Sequence, residues 1–401
     1  MKRYLPYALC ATALSALLIS APVAAVAVAA SPPTIVAKHT PVSSIDKSKA
    51  MPAADRAAID AAAAAFLKGS IDESPGLWLA VWDPVKGYYQ QAYGNAILPS
   101  TAATVADHFR IGSITKTVLA TAVLQQVAAG KVALSDTVAK LDPRLAKRFP
   151  AIARYTVSQL LSMTTQIPDY ADPAVEIMLG DPQHHFTREQ LIALGLGSGK
   201  PLPKVGGYST TNYIILGLIL QRVTGKSPES LVNGVFRQAG MSQSRLAAGS
   251  VPMPPPAAHT YLGSVVASSA THPGLTATTD TTSWPLDWGR EGGGAWSTIG
   301  DLATWGGTCL GNSLLPPAMV KKRLAVSTID VGRYGLGIIR QGDWLAHSGQ
   351  VIGMVTNVAC NPKTGAVVAY GVNSTYGPSL GFLDELGPVA FPDYYAATQH
   401  P

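Results

Sequence analysis

The sequence predicts an α/β fold, with an antiparallel sheet built from both ends of the chain and a largely helical region inserted in its middle. Three observations point there. Strand-like alternation clusters at residues 77–94 and again at 333–373. The stretches between carry mostly helical periods. The 401 residues, 47% hydrophobic and 13% charged, supply enough apolar surface for a large core in two packed regions.

The elements follow in order. Lys2 and Arg3 precede an uncharged run to Ala30 that ends in small residues, "VAAVAVAASPP". That pattern predicts a secretory signal over residues 1–30, cut near Ala29 or Ala30, and hence a periplasmic, extracellular or envelope-associated protein. The run is also long enough to span a bilayer, so an uncleaved anchor is the alternative. Residues 31–50 read as a polar linker. "AADRAAIDAAAAAFLK" (53–68) is a helix by its alanine content. "LWLAVWDPVKGYYQQAYG" (77–94) gives two strands around a turn at Asp83–Gly87.

A long apolar helix opens at Gly112-Ser113 and runs to about Gly130. Shorter helices are predicted at 157–163, at 212–225 with Gly225 closing it, and at 297–307 with Ser297 or Thr298 as cap. Residues 226–280 show little periodicity. Four strand-like runs follow, "RYGLGIIRQ", "DWLAHSG", "GMVTNVACNP" and "GAVVAYGVN", and then a final helix near 381–386. The division is thus 51–110 with 291–401 as the α/β region, and 111–290 as the mainly helical one.

Composition excludes several functions. Without Lys2 and Arg3, 28 basic residues face 24 acidic ones, a net charge of +4. No basic cluster is interleaved with aromatics, so nucleic acid is not an expected partner. His184 and His185 are adjacent and point apart on a regular element, so no metal site is expected. Of the three cysteines, Cys10 lies in the signal run. Cys309 and Cys360 can pair in an oxidising compartment or stay free; spacing does not decide.

The chemistry centres on "FRIGSITKTVLATAVLQQVAAGKVALSDTV", where Ser113 and Lys116 stand one helical turn apart. A serine hydroxyl needs a neighbouring base to become a nucleophile. Residues i and i+3 share a helix face, and burial or a nearby cation favours the neutral amine that a base must have. A helix N-terminus also offers N–H groups to an oxyanion. Alone, S-x-x-K is weak, and Ser44-x-x-Lys47 repeats it in the linker.

In this company the pattern resembles the penicillin-binding serine hydrolases: serine D-alanyl-D-alanine carboxypeptidases, class C β-lactamases and related esterases. The likeness runs from about Pro75 to Pro388. "YTVSQLLSMTTQIPDY" (155–170) resembles a family segment, "YSTTNYIILGLILQRVTG" (208–225) its tyrosine motif, and "AHSGQVIGM" (346–354) its third motif. "GGGAWSTIGDLATWG" and "YGLG" (334–337) fall in order between them. The resemblance implies a β-lactamase/transpeptidase-like fold with an all-helical lobe. It makes Ser113 the acylated nucleophile, Lys116 its base and Tyr208 the phenol that relays protons. His347, Ser348, Gly349 and Thr210 become substrate-binding residues, and the N–H groups of Ser113 and Gln350 the oxyanion hole. No cofactor is implied.

Departures bear on substrate. Thr210 replaces the usual asparagine, and a hydroxyl is shorter and cannot offer both a carbonyl and an amino group. "MTTQ" (163–166) replaces "HTSG". His347 stands where β-lactamases usually carry lysine; if it binds a carboxylate, activity should fall as pH rises through its titration. Two decoys are set aside. Lys363-Thr364-Gly365 reads as a hairpin turn, and the G-x-S-x-G at 377–381 has too little chain after it to be a hydrolase elbow.

The expected function is an exported serine hydrolase working through an acyl-enzyme, a D-alanyl-D-alanine carboxypeptidase foremost. An esterase on short acyl or lipid esters and a non-catalytic envelope binding protein are the alternatives. The partner would be a small peptide, β-lactam or ester, with peptidoglycan in view, and the protein is expected to act as a monomer.

Overall fold

A computed structural model describes residues 45–69, 75–199, 201–247, 251–269, 272–330, 332–375 and 382–391. The signal and anchor readings, residues 31–44 and the 377–381 decoy lie outside them. The central sheet has nine antiparallel strands. In spatial order they are 101–102, 87–97, 76–83, 367–372, 354–360, 344–351, 339–341, 332–334 and 327–329. Strand Gly76–Asp83 joins the two chain ends: it pairs with Gly87–Ile97 on one side and with Val367–Val372 on the other.

Strands buried on both faces explain why 76–83, 354–360 and 367–372 read as nearly continuous apolar runs. One face meets helices Ala53–Gly69 and Phe382–Ala390, which pack on each other through Ile59, Ala63, Phe66, Leu386 and Phe391. The other face carries the larger core and the helical region, with Ile114–Ala128 at its centre. Residues 114–124 of this helix are buried on every side, so it has no solvent-facing polar stripe before Gln125. It touches helices 211–224, 228–238 and 290–293 and strand 344–351. A small sheet of 109–110, 295–297 and 245–246 seals the region beside it.

Several expectations are sharpened. Residues 45–50 are not a free linker: Ala50 bridges Tyr88, and Lys47 donates to Gly300 O at 2.9 Å. The run "RYGLGIIRQ" is two short strands, because Gly335–Ile338 leave the ladder and press on the central helix; Gly337 has φ +76° and lies against Ala120 and Tyr213. Helices Ala171–Gly180, Arg188–Gly197 and Pro228–Gln238 were not read from the sequence. Asn361–Gly365 is a hairpin turn, with Gly365 N donating to Asn361 O at 2.8 Å and Lys363 paired to Asp343.

Cys309, just past helix Ile299–Gly307, is bonded to Cys360 at the end of strand Met354–Cys360, with their Cα atoms 5.7 Å apart. The bridge closes a separation of 51 residues. Replacing both cysteines by serine should therefore lower stability by about 2–4 kcal/mol, through greater freedom of the unfolded chain. Denaturant titration checks this. Equal midpoints for the wild type and the double variant under non-reducing conditions would show the bridge to be without effect.

Candidate active site

The site begins with Gly112. Its φ of +51° and its contacts admit no side chain: a Cβ there would lie 2.6 Å from Gln350 N and 2.9 Å from Gly349 C. The left-handed turn thus ends the approach of Phe109–Arg110 and lays the next residue, Ser113, beside strand Trp344–Val351. Ser113 is half-buried at the head of helix Ile114–Ala128. Gly349 makes the matching approach from the strand, its Hα side filled by Ile111 O and Thr356 Oγ1. Thr356 Oγ1 donates to Ile111 O at 2.9 Å and so ties strand to helix entrance.

Lys116 lies fully buried one turn on. Its Nζ is 2.8 Å from Ser113 Oγ and 2.7 Å from Gly292 O. A carbonyl can only accept, so one amine hydrogen is committed to Gly292. A neutral amine in that place keeps its lone pair for the serine proton. Gly292 is held in turn by its neighbour Glu291, which is buried against Arg188, while Arg188 also pairs with Glu229 at 2.6 Å. Burial raises the Glu291 carboxyl, and Arg188 opposes that.

Tyr208 comes from the segment before helix Thr211–Thr224. Lys116 Nζ is 4.9 Å from its ring centre, which puts the phenol over the same amine. The segment is pinned from two sides. Tyr208 N donates to Asp330 Oδ1 at 2.9 Å, and the Ser209 and Thr211 hydroxyls both donate to Pro168 O. Asn212 does not serve in place of the missing asparagine: it is buried, accepting from Thr165 Oγ1 at 2.8 Å and facing Met163 Sδ. Thr210 Oγ1 donates to Asp169 Oδ2 at 3.2 Å. In "MTTQ", Met163 takes φ +59° and Gln166 bonds Leu202, so this loop is braced by the side chains that replace the usual ones.

His347 is buried beside Tyr208, their ring centroids 6.2 Å apart, and both its ring nitrogens are engaged. Nδ1 lies 2.6 Å from Ser348 O and donates to it; Nε2 accepts from Tyr334 OH at 2.9 Å. Burial and the nearby Lys116 push its pKa down to about 3. The ring is therefore neutral from pH 5 to 8, and no His347 titration should appear in the activity profile. The pleat sends the Ser348 and Gln350 side chains to the opposite face, so what Ser348 gives this cluster is its carbonyl, already taken by His347.

The same shift predicts acid sensitivity. An unfolded histidine binds its proton near pH 6.5, the folded one only near pH 3. The unfolded state therefore holds more protons between these values, and stability is lost as pH falls through that window, by up to about 1.4 kcal/mol per unit from this group. His347→Gln should flatten the pH dependence of the denaturation midpoint between pH 7 and 5. An unchanged slope would contradict this.

The structure thus brings Ser113, Lys116, Tyr208, Thr210, Gly349 and the Gln350 peptide into one place. Sequence reasoning missed Asp169, Tyr334 and Gly292. Tyr334 opens the "YGLG" stretch, which had been singled out for order alone. Asp169 stood in the loop "IPDY" with no signal beyond its place in a matched segment. The lone pair His184 and His185 turn to different acids, Asp181 and Asp287.

Comparison with known proteins fits this geometry. A family profile described as Beta-lactamase matches residues 60–386. Penicillin-binding protein 4 of Amycolatopsis lactamdurans is 32% identical over 174 residues; the match covers 42% of this chain and 44% of that protein, so it spans less than half of the relative. A D-stereospecific amidohydrolase from Streptomyces sp. superposes with a TM-score of 0.69 at 24% identity, over 84% of this chain and 98% of that one. The D-amino acid amidase of Ochrobactrum anthropi SV3 gives 0.72 at 20% identity, over 85% and 100%. At these identities the two structures speak to fold.

Proposed function

The chain belongs to the beta-lactamase family, and on that premise we propose that it is a serine hydrolase that forms an acyl-enzyme at Ser113. The observation that carries the reading is the 2.8 Å contact of Lys116 Nζ with Ser113 Oγ, in a pocket that commits the amine's other bond to Gly292 O. Lys116 takes the Ser113 proton as the oxygen attacks a carbonyl carbon. The N–H groups of Ser113 and Gln350 hold the developing oxyanion. Collapse of the tetrahedral species expels the leaving group, which takes a proton by way of Tyr208. Water then attacks the acyl-serine by the reverse relay.

We further propose that the bond cut is an amide or ester of a D-amino acid whose leaving group carries no carboxylate. His347 supports this: it is neutral, with both nitrogens bonded inside the protein, and offers no charge to the terminal carboxylate of D-alanyl-D-alanine. The names of the two structural neighbours lend the D-configuration and the amide. Carboxypeptidase action on D-alanyl peptides is the second reading, favoured by the penicillin-binding relative. Export belongs to the proposal too, supported by the leader-like residues 1–30 and by a disulfide that suits an oxidising compartment.

The test is a panel of D-amino acid amides, p-nitrophenyl esters and acyl-D-alanyl-D-alanine, run with the wild type and Ser113→Ala. Turnover of the amides or esters, lost in the variant, is expected. Faster turnover of the D-alanyl peptide would move the assignment to the carboxypeptidase. Activity that survives Ser113→Ala would remove Ser113 as nucleophile.

A further inference from the structure

Resting on the serine-hydrolase reading, we propose that Asp169 is the carboxylate that receives a free α-ammonium on the substrate's acyl residue, so that N-unblocked amino acid amides and esters are taken in preference to N-acylated ones. The starting point is Thr210. An asparagine there would fill the space between substrate and Lys116 with an amide. Threonine is shorter, and its methyl turns to Gly292 while its hydroxyl turns back to Asp169. What stands behind the shortened side chain is therefore a carboxylate.

Asp169 is held for such a role. Its Oδ1 accepts from Ala171 N at 3.1 Å and its Oδ2 from the Thr210 hydroxyl at 3.2 Å, and the Thr210 N–H is a further donor to the carboxylate. A carboxylate has about four acceptor sites, so acceptor capacity remains for one more donor. Among the described residues no cation lies within salt-bridge distance of it. Asp172 stands three residues on, and burial together with the Asp169 charge pushes it up to about 7; two further acids near the cluster are differently placed. Glu291 is buried and locked by Arg188. Asp330 is exposed at the rim, accepting from Tyr208 N.

The electrostatics favour a cationic guest. Burial raises the Asp169 carboxyl, with Lys116 and its hydrogen bonds pulling the other way. An arriving ammonium would fix the ionised form and make a charge-assisted hydrogen bond to it. It would also place a positive charge near Lys116, which favours the neutral amine that the base step needs. An N-acyl group brings no charge and more bulk, and gains neither effect.

The experiment compares D-phenylalanine amide with N-acetyl-D-phenylalanine amide in the wild type, Asp169→Asn and Asp330→Asn. In Asp169→Asn the ratio of kcat/KM for the free amine to that for the N-acetyl substrate should fall on the order of 100-fold. A similar loss for both substrates, or an amine-selective loss in Asp330→Asn instead, overturns the assignment. Calorimetric binding of both compounds to Ser113→Ala, with and without Asp169→Asn, reads the same selectivity without turnover. If the wild type cleaves neither compound, the amide reading fails, and binding still decides Asp169. Amine-selective binding lost in Asp169→Asn upholds it, and binding unchanged or lost for both rejects it.

Discussion

Lys116→Met is expected to lower kcat/KM by about four orders of magnitude while leaving the fold intact. Methionine matches the lysine stem in length and suits a fully buried site. What disappears is the amine 2.8 Å from Ser113 Oγ. A serine without its base attacks slowly, and losses of about 10^4-fold accompany removal of such a partner in other hydrolases. Gly292 O also loses its donor, which costs about 1–3 kcal/mol of stability. Steady-state kinetics with a thermal unfolding control separates the two effects. Retention of activity within about tenfold of wild type would place the base elsewhere.

Gly349→Ala should harm both stability and turnover. The added methyl would run into Ile111 O and Thr356 Oγ1, two groups already bonded to each other and unable to retreat. Overpacking of this kind costs on the order of 3 kcal/mol. The strand can escape only by moving away from the helix entrance, and that carries the Gln350 N–H away from Ser113. Loss of one oxyanion donor is worth about 100- to 1000-fold in kcat. Denaturant midpoints and kcat measured on the same preparation test this. A variant as stable and as active as the wild type would show that the close approach is not needed.

How much of this was legible in the sequence depends on the kind of signal. The central sheet strands announced themselves, because burial on both faces leaves nearly unbroken apolar runs such as Gly76–Asp83, whereas the short edge strands Thr101–Ala102 and Ser327–Ile329 did not. Burial likewise announced the helix behind Ser113. The S-x-x-K pair carries its own geometry, since i and i+3 meet on any helix, and the contact in the fold follows. Helices Arg188–Gly197 and Pro228–Gln238 were missed, being short and half-exposed, although a Thr187–Gln190 capping box opens the first and Ser227 followed by Pro228 opens the second.

Site residues contributed from distant segments were harder. His347 was legible as a position but not as a neutral ring, because Tyr334 and the Ser348 carbonyl engage it only in three dimensions. Asp169 is the clearest case. Nothing local distinguishes it from any loop aspartate, and its meaning comes from Thr210, 41 residues on, turning its hydroxyl toward it.

The most direct test of the account is the intact mass of the purified protein, acid-quenched after brief exposure to D-phenylalanine p-nitrophenyl ester, beside Ser113→Ala. The account expects an adduct of the acyl group's mass on the wild type, located to Ser113 by peptide mapping and absent from the variant. An adduct mapping to another residue, or one formed equally by Ser113→Ala, would contradict it.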